Sequence, residues 1–451
     1  MCVEIRVGHA RGCECEKSAQ EKIMPLPAMA LPSLAAAIVA ALAAFARSEQ
    51  RWWARQTREV PVLNMADLSA DMGRHRSLLR ASATLGVFRL QGHGVDGDAV
   101  LNASRIYFAQ PEAVKRSARS PSGASGGFER GYIPLAGESG LREFVELKEG
   151  FCYGRTPGAS ARRGGNETGA ADAHATCEHL LMKPNAWPDP SVALEGGATD
   201  GSTEAVTLPP PAGGPVGEAW RRTLLGFLEA CLALSDELGV AFAAAMGRRP
   251  SELGQLLSGG ESISLMRLFH YFPPEHAPHV APGVPRTGSS PHTDWHLMTI
   301  ILQDTTGGLE VRRPTPPYDW VPVPANPGEL IVIVGDYLSA LSDGTFVSPV
   351  HRVLLPDAPA HRYSFTFFRY PHCGATLPAP STRRAERRAA RSARERKRHA
   401  ARHAAGAEPF NTLVAPAPDG DGLDQLAARS FGELLIDKWN GVAANKVSGR
   451  P

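Results

Sequence analysis

The chain has 451 residues, 43% of them hydrophobic and 21% charged, a balance that excludes disorder throughout and allows a sizeable core. The formal net charge of +2 conceals a basic run from Arg383 to His403, where nine Arg and one Lys are set against Glu386 and Glu395 alone. The remainder is therefore mildly acidic, which argues against nucleic acid as a partner of the main body. Seven cysteines without any CxxC spacing indicate neither a disulfide framework nor a zinc site, so reduced thiols are expected.

Residues 1–58 read as an N-terminal extension. Within it, Ile23 to Phe45 carries no charge over twenty-three residues, long enough to span a bilayer as a helix. Pro25, Pro27 and Pro32 interrupt its first half, and no basic stretch precedes it as a signal peptide requires. Two readings stay open: an anchor or targeting segment giving membrane association through 23–45, and a poorly ordered or surface-packed tail on a cytoplasmic protein.

From Val60 the pattern turns globular. A short apolar run, Val60-Pro61-Val62-Leu63, leads to a helical pattern with Leu78, Leu79 and Leu85, then to a strand, Gly86 to Leu90, closed by Gly92-His93-Gly94. A helix follows from about Asp98 to Phe108, stopped near Pro111. This βαβα opening belongs to a module over 59–190. Thr156 to Ala171 and Gly196 to Gly214 are nearly devoid of large apolar residues and read as loops, with Trp187 an isolated anchor between them. After the loop 191–216, Leu224, Leu228, Cys231, Ser235, Leu238 and Phe242 recur at three- and four-residue spacing, which predicts a long amphipathic helix in 217–260.

Residues 261–373 read as strand after strand. Ile263 to Phe272, Leu297 to Leu302, Gly308 to Arg312, Trp320 to Val323, Leu330 to Val334, Val350 to Leu355 and Tyr363 to Phe368 are short, β-branched or aromatic, and punctuated by Gly, Pro or Asp. The expected fold class is mainly β with flanking helices, an antiparallel sandwich or barrel with the helices outside. The basic run and a Pro/Gly linker occupy 374–428 and read as a solvated loop or exposed helix, with a nuclear-import or anionic-partner site as the sharper alternative. A capped helix beginning near Ser430 and a tail make up 429–451.

Pro291-His292-Thr293-Asp294 holds the only His-x-Asp of the chain. On an extended strand residues i and i+2 share a face, so an imidazole and a carboxylate would converge on one point. His351, fifty-seven residues beyond Asp294, supplies a third ligand, and two imidazoles with one carboxylate form the facial triad suited to non-haem Fe(II). Arg362 and Ser364 repeat the i, i+2 spacing; a guanidinium fork with a hydroxyl beside it suits the distal end of a dicarboxylate. The bland alternative pairs Arg362 with a surface acid such as Asp357. Leu297, Ile300 and Phe368 are assigned to the core, and His296 to a hydrogen-bonded neighbour of the site rather than a fourth ligand.

Taken in order and spacing, Pro291-His292-Thr293-Asp294, Leu302-Gln303-Asp304, Gly307-Gly308-Leu309, Trp320-Val321-Pro322-Val323, Gly335-Asp336, His351-Arg352-Val353 and Arg362-Tyr363-Ser364 resemble the isopenicillin-N-synthase-like 2-oxoglutarate/Fe(II) oxygenases. Val60-Pro61-Val62-Leu63, Phe108 to Glu112 with Lys115, Gly131-Tyr132, Lys148-Glu149-Gly150-Phe151 and Asn185-Ala186-Trp187-Pro188 resemble that family's N-terminal module. The resemblance implies a distorted double-stranded β-helix, or jelly roll, with an N-terminal α/β module packed on it. It implies Fe(II), 2-oxoglutarate and O2, with ascorbate as a reductant, and a monomer that oxidises a small-molecule substrate by hydroxylation or desaturation while 2-oxoglutarate becomes succinate and CO2. Tyr271, or Phe272 on a one-residue shift, would contact the cosubstrate. An oxidase of the same fold that does not use 2-oxoglutarate, and a catalytically silent jelly roll that binds an acidic partner, are the alternatives.

Overall fold

Runs of alternating side chains build two main sheets that face each other, and two short strands pair as a third. The computed structural model describes residues 59–69, 75–119, 130–155 with gaps at 136 and 138–143, 182–192, 216–258, 262–276, 285–377 with gaps at 316 and 358, and 429–445. The extension 1–58, both Gly-rich loops and the basic run 383–403 lie outside them. The described strands are β1 (Val62–Asn64), β2 (Val87–Gln91), β3 (Gly131–Ile133), β4 (Val145–Glu146), β5 (Lys148–Gly154), β6 (Leu265–Tyr271), β7 (Arg286–Thr287), β8 (Ser289–His292), β9 (Met298–Gln303), β10 (Leu309–Arg312), β11 (Trp320–Pro322), β12 (Leu330–Val334), β13 (His351–Val353) and β14 (Arg362–Arg369). The helices are α1 (Met65–Ser69), α2 (His75–Thr84), α3 (Gly97–Phe108), α4 (Glu112–Ser117), α5 (Glu218–Ala245), α6 (Pro250–Ser258), α7 (Asp336–Leu341) and α8 (Phe431–Asn445).

The larger sheet has the order β1-β2-β12-β9-β14-β6-β5-β3 and the smaller β11-β10-β13-β8. Both are antiparallel except for β1 beside β2, which run parallel and so need the crossover that α1 and α2 provide. Between the sheets lies an apolar layer that includes Phe269, Ile301, Leu309, Val311 and Val353. This is the antiparallel sandwich expected from the strand spacing, in the jelly-roll form that the family resemblance implied.

The reverse face of the larger sheet is covered by α5. Its predicted periodicity holds: Leu224, Leu228, Cys231, Ser235, Leu238 and Phe242 are all fully buried, and Phe227 packs edge-on against Phe365 of β14 with ring centroids 5.4 Å apart. The helix stops short of Pro250 because Gly247 adopts φ +67°. Arg248 N then donates to Ala243 O at 2.8 Å and Gly247 N to Ala244 O at 2.9 Å, the paired bonds that close a helix through a left-handed residue. At the other end of the chain Ser430 Oγ accepts from Glu433 N at 3.4 Å while Glu433 Oε2 accepts from Ser430 N at 2.8 Å, the reciprocal cap expected for α8.

Motif pieces of the N-terminal module converge on one buried carboxylate. Glu149 accepts from Lys115 Nζ at 2.8 Å, Tyr132 Oη at 2.6 Å and His270 Nδ1 at 2.8 Å. His270 Nε2 in turn shares a hydrogen bond with His361 Nδ1 at 2.8 Å, and the bonds to Glu149 tie α4, β3 and β5 to β6. Trp187 is the anchor expected of it: its ring lies 5.8 Å from Phe151 and Tyr153 and 5.9 Å from Trp220.

Cys152 and Cys231 are free and buried, as expected. Cys373 departs from that expectation, being disulfide-bonded; cysteine spacing carries no information about a pair joined by tertiary contact. Among the described residues no helix is long and apolar enough to cross a membrane, and residues 23–45 are not among them.

Candidate metal centre

β8 and β13 lie side by side in the smaller sheet with His292 and His351 as register partners. That pairing is what brings two histidines so distant in the chain to a ring separation of 4.2 Å. Asp294 arrives differently from the strand argument above. β8 ends at His292, and Asp294 stands in the following loop, where backbone contacts rather than strand alternation aim it. Asp336 N donates to Asp294 O at 2.7 Å, Gly335 N to Leu297 O at 2.9 Å, and Thr293 Oγ1 to Asp336 Oδ2 at 2.9 Å. The Gly335-Asp336 motif is thus the clamp on the loop that carries the carboxylate. Spacing along β8 had no means of reporting it.

His292 Nε2 lies 3.8 Å from Asp294 Oδ1 and His351 Nε2 3.6 Å from Oδ2, and one ligand atom from each of the three side chains falls within 4.8 Å of the others. His292 Nδ1 donates to Ser290 O at 2.7 Å and His351 Nδ1 to Pro349 O at 3.2 Å. Each ring therefore presents an Nε2 lone pair to the centre, the tautomer a metal requires. Burial, with His292 beside it, pushes His351 down to about 4, so it is neutral at physiological pH. Burial opposes the charge of Asp294, yet the imidazoles of His351, His296 and His292 and the hydroxyl of Thr299 hold its carboxyl below the usual range. Thr299 Oγ1 donates directly to Asp294 Oδ2. Two imidazole nitrogens and an ionised carboxylate gathered on one side are a donor set that suits Fe(II).

His296 lies deeper. It is 2% exposed, 4.0 Å from Asp294 Oδ1 and packed edge-on between Phe368 and Tyr370. Burial lowers its pKa to about 4. This matches the expected neighbour of the site rather than a fourth ligand.

The three residues open onto a cavity floored by the larger sheet. Arg362 lies at one end of that floor, 1% exposed. Its Nε donates to Gly307 O at 2.6 Å, its Nη2 to Gln303 Oε1 at 2.8 Å and its Nη1 to Ser364 Oγ at 3.4 Å. Asp357 is not its partner. Tyr271, in register with Arg362 across β6 and β14, places its ring 4.5 Å from the guanidinium carbon. Phe272 turns away, its ring tilted against His270 at 4.2 Å, so of the two Tyr271 is the one that faces the cavity. Leu297 and Ile300 are core as expected, whereas Phe368 lines the cavity: it shares the face of β14 that carries Arg362, Ser364 and Thr366.

Comparison with known proteins follows the same division of the chain. The 2OG-Fe(II) oxygenase superfamily model matches residues 262–371, and a model described as the N-terminal part of non-haem dioxygenases in morphine synthesis matches residues 60–190. A 2-oxoglutarate-dependent dioxygenase of Monascus ruber is 32% identical over 295 residues, covering 64% of this chain and 76% of that protein. Flavone synthase of Petroselinum crispum is 25% identical over 73% of this chain and 76% of its own length. A Neurospora crassa protein, solved in complex with alpha-KG and thymine, shares the fold at TM-score 0.52 and 21% identity, covering 71% of this chain and 88% of that one. Similarity of this extent to a curated dioxygenase, with both halves of the family pattern present in order, establishes that the chain belongs to the 2-oxoglutarate- and Fe(II)-dependent dioxygenases, oxidoreductases that use Fe(II), 2-oxoglutarate and O2.

Proposed function

We propose that His292, Asp294 and His351 hold the Fe(II), that Arg362, Ser364 and Tyr271 receive the distal carboxylate of 2-oxoglutarate, and that the enzyme hydroxylates or desaturates a small organic metabolite. The observation that carries this reading is the placement of the three-residue cluster and the Arg362 end in one cavity. Relatives support the substrate class: one is a flavone synthase, and the Neurospora crassa protein is solved with thymine.

Bound Fe(II), 2-oxoglutarate and O2 together supply the oxidising power, with 2-oxoglutarate decarboxylated to succinate as the substrate is oxidised. The chain supplies position. Gly307 O and Gln303 hold the guanidinium of Arg362 before any ligand arrives, so little side-chain order is lost on binding. Backbone carbonyls fix the imidazole tautomers of His292 and His351, and Thr299 fixes the carboxylate of Asp294. The apolar layer beneath Tyr271 and Ile301 keeps water from the anchored end.

The test is release of labelled CO2 and succinate from 2-oxoglutarate with Fe(II), ascorbate and O2. Alanine at His292, Asp294 or His351 should abolish Fe(II) binding and release alike. Arg362→Ala should weaken 2-oxoglutarate by roughly tenfold or more, since a charge-assisted hydrogen bond is worth about 1.5–3 kcal/mol, and leave Fe(II) binding intact. Ser364→Ala should cost less. Full activity in His351→Ala protein, or unchanged 2-oxoglutarate affinity in Arg362→Ala protein, would overturn the assignment.

A further inference from the structure

His296 is a buried imidazole set among aromatic rings. It is 2% exposed, and its ring lies edge-on to Phe368 at 5.1 Å and to Tyr370 at 5.2 Å. Burying a polar ring costs free energy unless its nitrogens find partners. What an imidazole offers here that a phenyl ring would not is Nε2, which lies 3.4 Å from Thr299 Oγ1 and 4.0 Å from Asp294 Oδ1.

Counting hydrogens gives that contact a direction. An ionised carboxylate only accepts, so the hydrogen between Thr299 Oγ1 and Asp294 Oδ2 belongs to the threonine. A hydroxyl has one hydrogen. Toward His296 the same oxygen can therefore only accept, and Nε2 must carry a hydrogen to meet it. The order is His296 Nε2–H to Thr299 Oγ1–H to Asp294 Oδ2, a chain in which each bond polarises the next. With Nε2 bare, the ring would instead compete with Asp294 for the only hydrogen that Thr299 has. The two oxygens of the carboxylate are thereby made unlike: Oδ2 is held by the hydroxyl, while Oδ1 accepts no hydrogen bond among the described residues.

We propose that His296 is a positioning residue for the metal: by donating from Nε2 to Thr299 it commits the threonine hydrogen to Asp294 Oδ2 and leaves Oδ1 to ligate Fe(II). The proposal rests on the reading that places Fe(II) on His292, Asp294 and His351.

The experiment is anaerobic Fe(II) titration by calorimetry of the full chain, with urea unfolding of each metal-free protein to certify its fold. The proteins are the parent, His296→Gln, His296→Asn, His296→Leu, Thr299→Val and the double variant His296→Leu/Thr299→Val. A glutamine amide reaches about as far as Nε2 and can donate to Thr299, an asparagine amide stops near the position of Nδ1, and leucine packs without donating. His296→Gln should hold Fe(II) within about threefold of the parent affinity, whereas His296→Asn and His296→Leu should each weaken it by about tenfold. That ranking separates positioning from packing, because a slot that only needs filling would favour leucine over either amide. Thr299→Val should weaken Fe(II) to a similar extent, and adding His296→Leu to it should cost no more than about twofold further, since the hydroxyl through which His296 acts is already gone. The proposal is overturned if folded His296→Leu or His296→Asn protein binds Fe(II) as the parent does, if His296→Gln does no better than His296→Leu, or if the losses at 296 and 299 multiply in the double variant. Where the leucine proteins fail to fold, the comparison of His296→Gln with His296→Asn, alone and on Thr299→Val, decides the same question. Should the parent bind no Fe(II), or Asp294→Ala protein bind it as the parent does, the reading of the metal centre falls instead.

Discussion

A Cβ on Gly335 would lie 1.8 Å from the carbonyl oxygen of His296 and 3.3 Å from that of Asp294, so alanine there forces apart two backbone segments that neither relax nor rotate. The φ of this residue is an ordinary −90°; space, not conformation, demands glycine. Overpacking of this kind costs about 1–3 kcal/mol or more, and here the strain is delivered to the loop that aims the Asp294 carboxylate. Gly335→Ala should therefore weaken Fe(II) binding by about tenfold or more, read by anaerobic Fe(II) titration, although position 335 contacts no ligand. Unchanged Fe(II) affinity in a folded Gly335→Ala protein would show that the loop is aimed from elsewhere.

At the scale of elements, the buried carboxylate of Glu149 joins helix α4 and strands β3 and β5 to β6. Burial opposes its charge, but hydrogen bonding from His270 and the nearby Lys115 outweigh burial and hold its carboxyl below the ordinary 4.5. A carboxylate with a depressed folded-state pKa stabilises the fold fully above its unfolded value and loses that contribution as pH falls through the folded value. Stability should thus decline in acid below about pH 4.5, and Glu149→Gln should make that decline shallower while costing about 1–3 kcal/mol at neutral pH, because Lys115 loses its buried partner and keeps only the half-exposed Glu112, 3.1 Å away. Urea unfolding at a series of pH values measures both effects. Parallel acid limbs in the two proteins would mean that Glu149 is not the group that titrates. The network was only partly legible beforehand. Lys115, Tyr132 and Lys148-Glu149 were visible as separate motif fragments, and nothing local to any of them says that they meet. The strands fared better because side-chain alternation is a local property: β9, β12 and β14 fall within a residue or two of where the pattern places them. Asp294 marks the boundary between the two cases. Its proposed ligand role was read from chemistry, but its geometry depends on Gly335 and Asp336, some forty residues on, and alternation along β8 ends before reaching it.

Across the whole molecule, the larger sheet separates stability from chemistry by its two faces, and β14 shows the division residue by residue. Arg362, Ser364, Thr366 and Phe368 face the cavity, while Tyr363, Phe365 and Phe367 belong to the core on the opposite, helix-covered face. Phe365 is fully buried against Phe227, so Phe365→Ala should cost about 3–5 kcal/mol, the usual loss for an aromatic residue removed from a packed core. Its neighbour Ser364 makes a single contact at 3.4 Å with Arg362, and Ser364→Ala should change stability by less than about 1 kcal/mol. For 2-oxoglutarate the order reverses. The cosubstrate should bind Phe365→Ala protein within about twofold of the parent affinity at temperatures where it is folded, because sites without shared partners behave additively. Ser364→Ala should weaken it severalfold through loss of one hydrogen bond at the anchored end. Urea unfolding and 2-oxoglutarate titration of the same two proteins provide the four numbers required. A tenfold loss of cosubstrate affinity in folded Phe365→Ala protein would show that the sheet transmits packing strain from its helix face to its cavity face, and that the two faces are not independent.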